Sequence, residues 1–180
     1  MPGSLHGAIH ALNVSAGGVP KLPVPEATVD ERGMLGDRQK DLRIHGGPRR
    51  ALCLYSLERI EALAAEGHPI AAGSAGENVT VAGVDWSRVV PGSRLRLGEA
   101  VLIEITEYTT PCLQNACWFS DGDFNRMHQR VHPGWSRVYA RVLRGGELHP
   151  GDAVGVLDED VGERLARTRL PTFRWQPPAR

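Results

Sequence analysis

The chain has 180 residues, 41% of them hydrophobic and 23% charged, which is the composition of one globular domain with a real core, not of a disordered segment. Twenty-one basic side chains balance twenty-one acidic ones, so net charge gives no reason to expect a nucleic-acid partner, although local basic clusters remain able to hold a phosphorylated small ligand. No run approaches the ~20 apolar residues that span a bilayer, so no membrane partner is expected. Met1-Pro2-Gly3-Ser4-Leu5-His6 lacks the basic and apolar regions of a signal peptide. Three cysteines without a disulfide spacing point to a reducing, cytoplasmic location.

Ala8 to Ser15 reads as a strand, broken by Gly17-Gly18-Val19-Pro20. Pro23 to Val29 reads as a second extended stretch, with prolines that place it at an edge or in a loop. Gly33 to Arg38 is punctuated by glycine and leads into a polar loop ending at Arg50. Ala51-Leu52-Cys53-Leu54-Tyr55 is an apolar run that predicts a buried strand. Ser56 is then a good N-cap for a helix over 57–66, where Leu57, Ile60, Leu63 and Ala64 share a face and Gly67 is the stop. Residues 73–76 form a loop and Asn78-Val79-Thr80-Val81 a short strand.

Ser93 to Leu97 alternates with period two. Gly98-Glu99 then turns it into the strand Ala100 to Thr106, which predicts a hairpin. A short helix over 121–131 capped by Asp121, a strand within Trp135 to Leu143 turned by Gly145-Gly146, and a strand Ala153 to Leu157 opened by Gly151-Asp152 complete the body. A terminal helix over 159–168 and a Pro- and Arg-rich tail containing Phe173 and Trp175 follow. Many short strands with frequent Gly and Pro turns define a mainly β fold, a β-strand-rich barrel or folded sheet with few helices.

Cys112 carries the most information. It follows Thr109-Thr110-Pro111 at the mouth of a strand, and its polar flanks, with Gln114 and Asn115, favour presentation over packing. A presented thiolate is a nucleophile, a sulfur carrier or a soft metal ligand. Cys117 lies in the apolar patch Ala116-Cys117-Trp118-Phe119 and Cys53 between two leucines, so both read as core. In His45-Gly46-Gly47-Pro48-Arg49-Arg50 the glycines allow backbone to approach an anion and the arginines supply fork donors. Glu77 and Asn78 are placed to hydrogen-bond a heterocycle or to tie their loop to the sheet. There is no Walker loop, no dinucleotide fingerprint and no zinc signature, and Pro133 argues against a metal site on His128 and His132.

Taken in order, Gly36-Asp37-Arg38, then His45-Gly46-Gly47 with Ala51 and Tyr55, then Ala75 to Gly83, Pro91 to Gly98, and Thr106 to Cys112 resemble the MOSC family, named for the C-terminal domain of molybdenum cofactor sulfurases. With Gly151-Asp152 the resemblance covers residues 5–157, leaving 158–180 as an extension. It implies a short stand-alone bacterial-type member, without the pyridoxal-phosphate desulfurase domain of the large sulfurases, and a barrel-like core. The family cysteine maps onto Cys112. The resemblance implies one of two roles: thiolate ligand to molybdenum in a molybdopterin cofactor, with reduction of N-hydroxylated small molecules, or carrier of a persulfide received from a cysteine desulfurase for metal–sulfur cofactor assembly. A plain ligand-binding module with a core cysteine is the third reading. If the cofactor binds, Arg38, His45, Gly47 and Arg50 are the candidates for its phosphate, Glu77 and Asn78 for its pterin edge, and Thr110 and Asn115 for the flanks of the metal. Phe124, His128, His132 and Trp135 would line the substrate. No flavin or iron–sulfur motif is visible, so electrons would come from a separate redox partner.

Overall fold

The computed structural model describes residues 7–38 and 47–158. Their strands are β1 (Gly7–Val14), β2 (Leu22–Val24), β3 (Ala27–Asp30), β4 (Gly33–Met34), β5 (Leu52–Ser56), β6 (Val79–Ala82), β7 (Arg94–Leu97), β8 (Val101–Tyr108), β9 (Val138–Arg144), β10 (Gly146–Leu148) and β11 (Ala153–Leu157). Helix α1 (Leu57–Ala65) joins β5 to β6. Hydrogen bonding runs β11-β7-β8-β9-β5-β6-β1, and a further β1–β11 pairing closes these strands into a seven-stranded barrel. The closure is short, Gly7 opposite Val154 and Ala8 opposite Ala153. Beyond it β1 continues and pairs with β2 instead, Leu12 opposite Val24. Strands β10, β3 and β4 form a small second sheet. A closed ring leaves no exposed strand edges of its own, which is the usual solution for short strands.

Local sequence explains most elements. In β7 the alternation of arginine and leucine sends Leu95 and Leu97 into the core. In β8, Val101, Leu102 and Ile103 are all buried, because both faces of that strand are covered. Ser56 Oγ accepts the Arg59 N–H at the start of α1. At its end the Gly67 N–H donates to Ala64 O (2.9 Å) and the His68 N–H to Leu63 O (3.2 Å), with Gly67 at φ 95°, the left-handed stop that glycine permits. Ile60 and Leu63 are the buried face of α1, each contributing about 1.5–3 kcal/mol of hydrophobic stabilisation. The pair β5–β6 is parallel, and its crossover carries α1. Among the described residues no helix is long and apolar enough to cross a membrane.

Three expectations change. The extended stretch at 23–29 is two strands, β2 at the edge and β3 in the small sheet. The helix expected over 121–131 is only a 3-10 turn, Phe124–Met127, capped by Asp123, not Asp121. The side chains of Asp121 and Asp123 accept the N–H groups two residues on, a local competition that favours turns over helix. Gly146 does not turn the chain but starts β10, against β3. The expected terminal helix and the tail lie outside the described residues.

Candidate functional site: a presented cysteine at one end of the barrel

Strand β8 ends at Tyr108, and a short extended segment delivers Cys112 to a 3-10 turn, Leu113–Trp118. The segment is pinned to the start of β9: the Thr109 N–H donates to Arg137 O (3.0 Å), and Ser136 Oγ donates to Thr109 O (3.0 Å). Residues 135–137 are fixed in turn from inside the barrel. Tyr55 Oη donates to Trp135 O (2.8 Å), and Trp86 Nε1 donates to Ser136 O (3.2 Å).

Cys112 is half-buried. It stands in extended conformation as the cap of the 3-10 turn. Asn115 holds it there. Asn115 Oδ1 accepts the Cys112 N–H (3.2 Å), and the Asn115 N–H donates to Cys112 O (2.8 Å). Asn115 is itself 2% exposed, and its Nδ2 donates to Ala75 O (3.3 Å), which ties the cysteine turn to the 73–76 loop. Arg137 reaches the same place: its Nη1 donates to Ala75 O, and its Nη2 lies 3.5 Å from Asn115 Oδ1.

Cys117, expected in the core, is exposed. A 3-10 turn repeats every three residues, so Gln114 and Cys117 share its outer face while Asn115 and Trp118 turn inward. Cys53 is buried as expected, and burial pushes its thiol up to about 11. An aromatic disulfide reagent is therefore expected to label two thiols of the native protein, Cys117 before Cys112, and Cys53 only after denaturation. Peptide mass spectrometry over the labelling time course checks that order.

The other sequence candidates separate into two groups. Thr110 is exposed beside the cysteine. Arg38 is exposed, and with Gly47, Arg32 and Asp37 it lines a surface pocket of about 490 Å³. Gly47 has φ 86° at the head of the turn Pro48–Arg50, a conformation that favours glycine. His45 lies outside the described residues. Arg50, Glu77 and Asn78, by contrast, make hydrogen bonds within the fold, although Glu77 Oε2 is buried with no hydrogen-bond partner among the described residues. Arg50 makes a two-pronged contact with Glu107 (2.8 and 3.0 Å), and that pairing holds the Glu107 carboxyl below its ordinary range. Asn78 Oδ1 accepts the Cys53 N–H (3.2 Å), while its Nδ2 donates to Asp37 Oδ2 (2.9 Å) and Asn13 O (3.3 Å). Glu77 Oε1 accepts from the Gly73 N–H (2.6 Å) and Thr80 Oγ1 (3.1 Å). Trp135 meets two guanidinium groups over its ring, Arg126 at 3.7 Å and Arg59 at 4.7 Å from the ring centre. Arg126 also grips Glu66 (3.0 and 2.5 Å), which docks the 124–127 turn on the end of α1.

Glu77 is fully buried, and burial raises its carboxyl above the ordinary 4.5. The folded protein therefore holds this proton to a higher pH than the unfolded chain does. Stability from this group is full below the unfolded value and falls as pH rises through the folded one. Glu77→Gln keeps an acceptor for Gly73 and removes the titration. It is expected to flatten the decline of the urea midpoint above pH 4.5 without abolishing folding. An unchanged pH slope would assign that decline to other groups.

Sequence reasoning missed the supports of this end of the barrel. Lys21 and Asp37 form a buried ion pair, with side chains 8% and 5% exposed. Asp37 also accepts the Ser15 N–H (2.9 Å), and the Arg38 N–H returns to Ser15 O (2.8 Å). Gly73 accepts the Lys21 N–H (2.9 Å). A side chain on Gly73, at φ 83°, would stand 2.3 Å from Lys21 O. The available signals were Asp37 inside Gly36-Asp37-Arg38 and an arginine, Arg137, at the head of an apolar strand.

These features define a closed β-barrel whose one half-buried thiol sits on a turn fastened by buried amide and guanidinium groups. Residues 41–155 match the MOSC domain family, and the chain belongs to it. It is 34% identical over 139 residues to protein YflK of Bacillus subtilis, covering 74% of this chain and 60% of that one. It is also 34% identical over 125 residues to protein YiiM of Escherichia coli, covering 67% of this chain and 54% of the other. The chain thus spans little more than half the length of these curated relatives. A protein named as a reductase from Gibberella moniliformis is 29% identical over 131 residues, which is 70% of this chain and 23% of that one. The solved YiiM structure from Geobacillus stearothermophilus superposes with a TM-score of 0.67 at 25% identity, covering 87% of this chain and 77% of that one.

Proposed function

We propose that the protein binds a molybdenum cofactor through Cys112 and reduces N-hydroxylated small molecules with electrons from an external donor. The observation that carries the reading is the half-buried thiol, held by its own backbone through Asn115 at the end of a rigid barrel strand. Such a cofactor asks for a soft anionic ligand and for donors to a phosphate. Cys112 fits the first demand. The pocket with Arg38, Arg32 and Gly47 fits the second. Arg50 and Asn78 serve this reading as supports through their bonds to Glu107 and Asp37, and Glu77 through its bond to the Gly73 N–H.

When bound, the metal would supply two-electron redox chemistry. The protein's own part is to hold the thiolate, exclude bulk water from one side of it and seat the anionic tail. The overall change converts an N–OH group to N–H and water with two electrons and two protons. The name of the Gibberella moniliformis relative points the same way, as a reductase. The decisive experiment is metal analysis of protein made in a cofactor-competent host, with turnover of an N-hydroxylated amidine by a reduced dye. Bound molybdenum with turnover is expected. A metal-free protein that gains mass on Cys112 from a cysteine desulfurase would replace this reading with that of a persulfide carrier.

A further inference from the structure

We propose that Arg137 is a positioning residue for Cys112, acting through Asn115. Arg137 is 7% exposed and stands just before β9. Its guanidinium and the Asn115 amide converge on one acceptor, the Ala75 carbonyl. Its Nη2 also faces Asn115 Oδ1, the atom that accepts the Cys112 N–H. Guanidinium, amide and cysteine backbone thus form one chain anchored on the 73–76 loop. Asn115 alone has one amide to satisfy two neighbours. Arg137 fixes which way that amide points, with oxygen toward Cys112 and nitrogen toward Ala75.

The arrangement is costly, which argues that it is kept for more than filling. Among the described residues no carboxylate forms an ion pair with Arg137, and its Nε has no hydrogen-bond partner. Burying a guanidinium that forms no ion pair with a carboxylate among the described residues costs several kcal/mol in desolvation, and an apolar side chain would fill the same space without that cost. Its charge is felt nearby, lowering the proton affinity of the Cys53 thiol, the Tyr55 phenol and the Glu77 carboxyl against the larger effect of burial.

The inference rests on Cys112 being the working thiol, but its test needs neither metal nor turnover. A nitroxide label is attached to Cys112 in metal-free Cys117→Ser protein, where Cys53 is buried, and its mobility is read by electron paramagnetic resonance. Arg137→Met and Asn115→Ala are each expected to shorten the rotational correlation time about threefold. The double variant should be no more mobile than the more mobile single one, because both break the same chain. Arg137→Lys should recover part of the loss, since it donates to one acceptor and not two. Wild-type spectra for Arg137→Lys and Asn115→Ala, or additive effects in the double variant, would overturn the proposal. If Arg137→Met does not fold, those two variants decide the question. Failure of the metal assay leaves this result standing, and the reverse is also true.

Discussion

Cys112→Ser is expected to abolish molybdenum retention and turnover while leaving the fold intact. A serine hydroxyl remains protonated at neutral pH and offers a hard, neutral oxygen where a soft thiolate is required. The structural cost is small. Cys112 is half-buried, and the bonds that fix the turn run through its backbone N–H and carbonyl, which serine keeps. Stability should therefore stay within about 0.5 kcal/mol of wild type, as for most changes away from the core. Metal content by mass spectrometry and a urea melt separate the two effects. Cys117→Ser is the matched control: it removes an exposed thiol five positions away and should leave metal content unchanged. Equal molybdenum in wild type and Cys112→Ser would remove the thiol from the centre of the site.

The cysteine and its strand were legible in the sequence because both signals are local. Alternation marked β7, the apolar run marked β8, and Pro111 with its polar flanks marked the exit toward Cys112. The cap at Ser56 and the stop at Gly67 were legible for the same reason. What was hidden is set by distance along the chain. The closing pair β1–β11 joins Gly7 to Val154, and no periodicity announces which strands meet. Lys21 and Asp37 have the look of solvated side chains, and only the fold buries them together. The apolar neighbours of Cys117 suggest burial, while the threefold repeat of a 3-10 turn puts it on the outer face. Arg50, Glu77 and Asn78 stand in sequence motifs. The hydrogen bonds of Arg50 to Glu107 and of Asn78 to Asp37 depend on residues distant in the chain, which no motif announces.

Asp37→Ala is expected to be the most damaging single change to stability outside the apolar core. It would leave the Lys21 ammonium, 8% exposed, without its carboxylate, and would strip an acceptor from Asn78 Nδ2 and from the Ser15 N–H. Breaking a buried ion pair from one side costs about 3–5 kcal/mol, most of it the desolvation of the charge left behind. That origin gives the prediction its sharper form. Lys21→Met, which removes the cation and leaves Asp37 with its Asn78 and Ser15 donors, should cost less than Asp37→Ala. Lys21→Met combined with Asp37→Ala should be more stable than Asp37→Ala alone, because no charge is then stranded. Urea midpoints of the three proteins test the order. The consequence reaches the pocket as well, since the Arg38 N–H is held by Ser15 O, and the Ser15 N–H by Asp37. Loosening that corner moves Arg38, so metal retention should weaken in Asp37→Ala even at temperatures where the barrel stays folded. If Asp37→Ala instead melts with Lys21→Met and keeps its metal, the ion pair is an ornament of the loop, and the order at this end of the barrel comes from the Asn115 and Arg137 side alone.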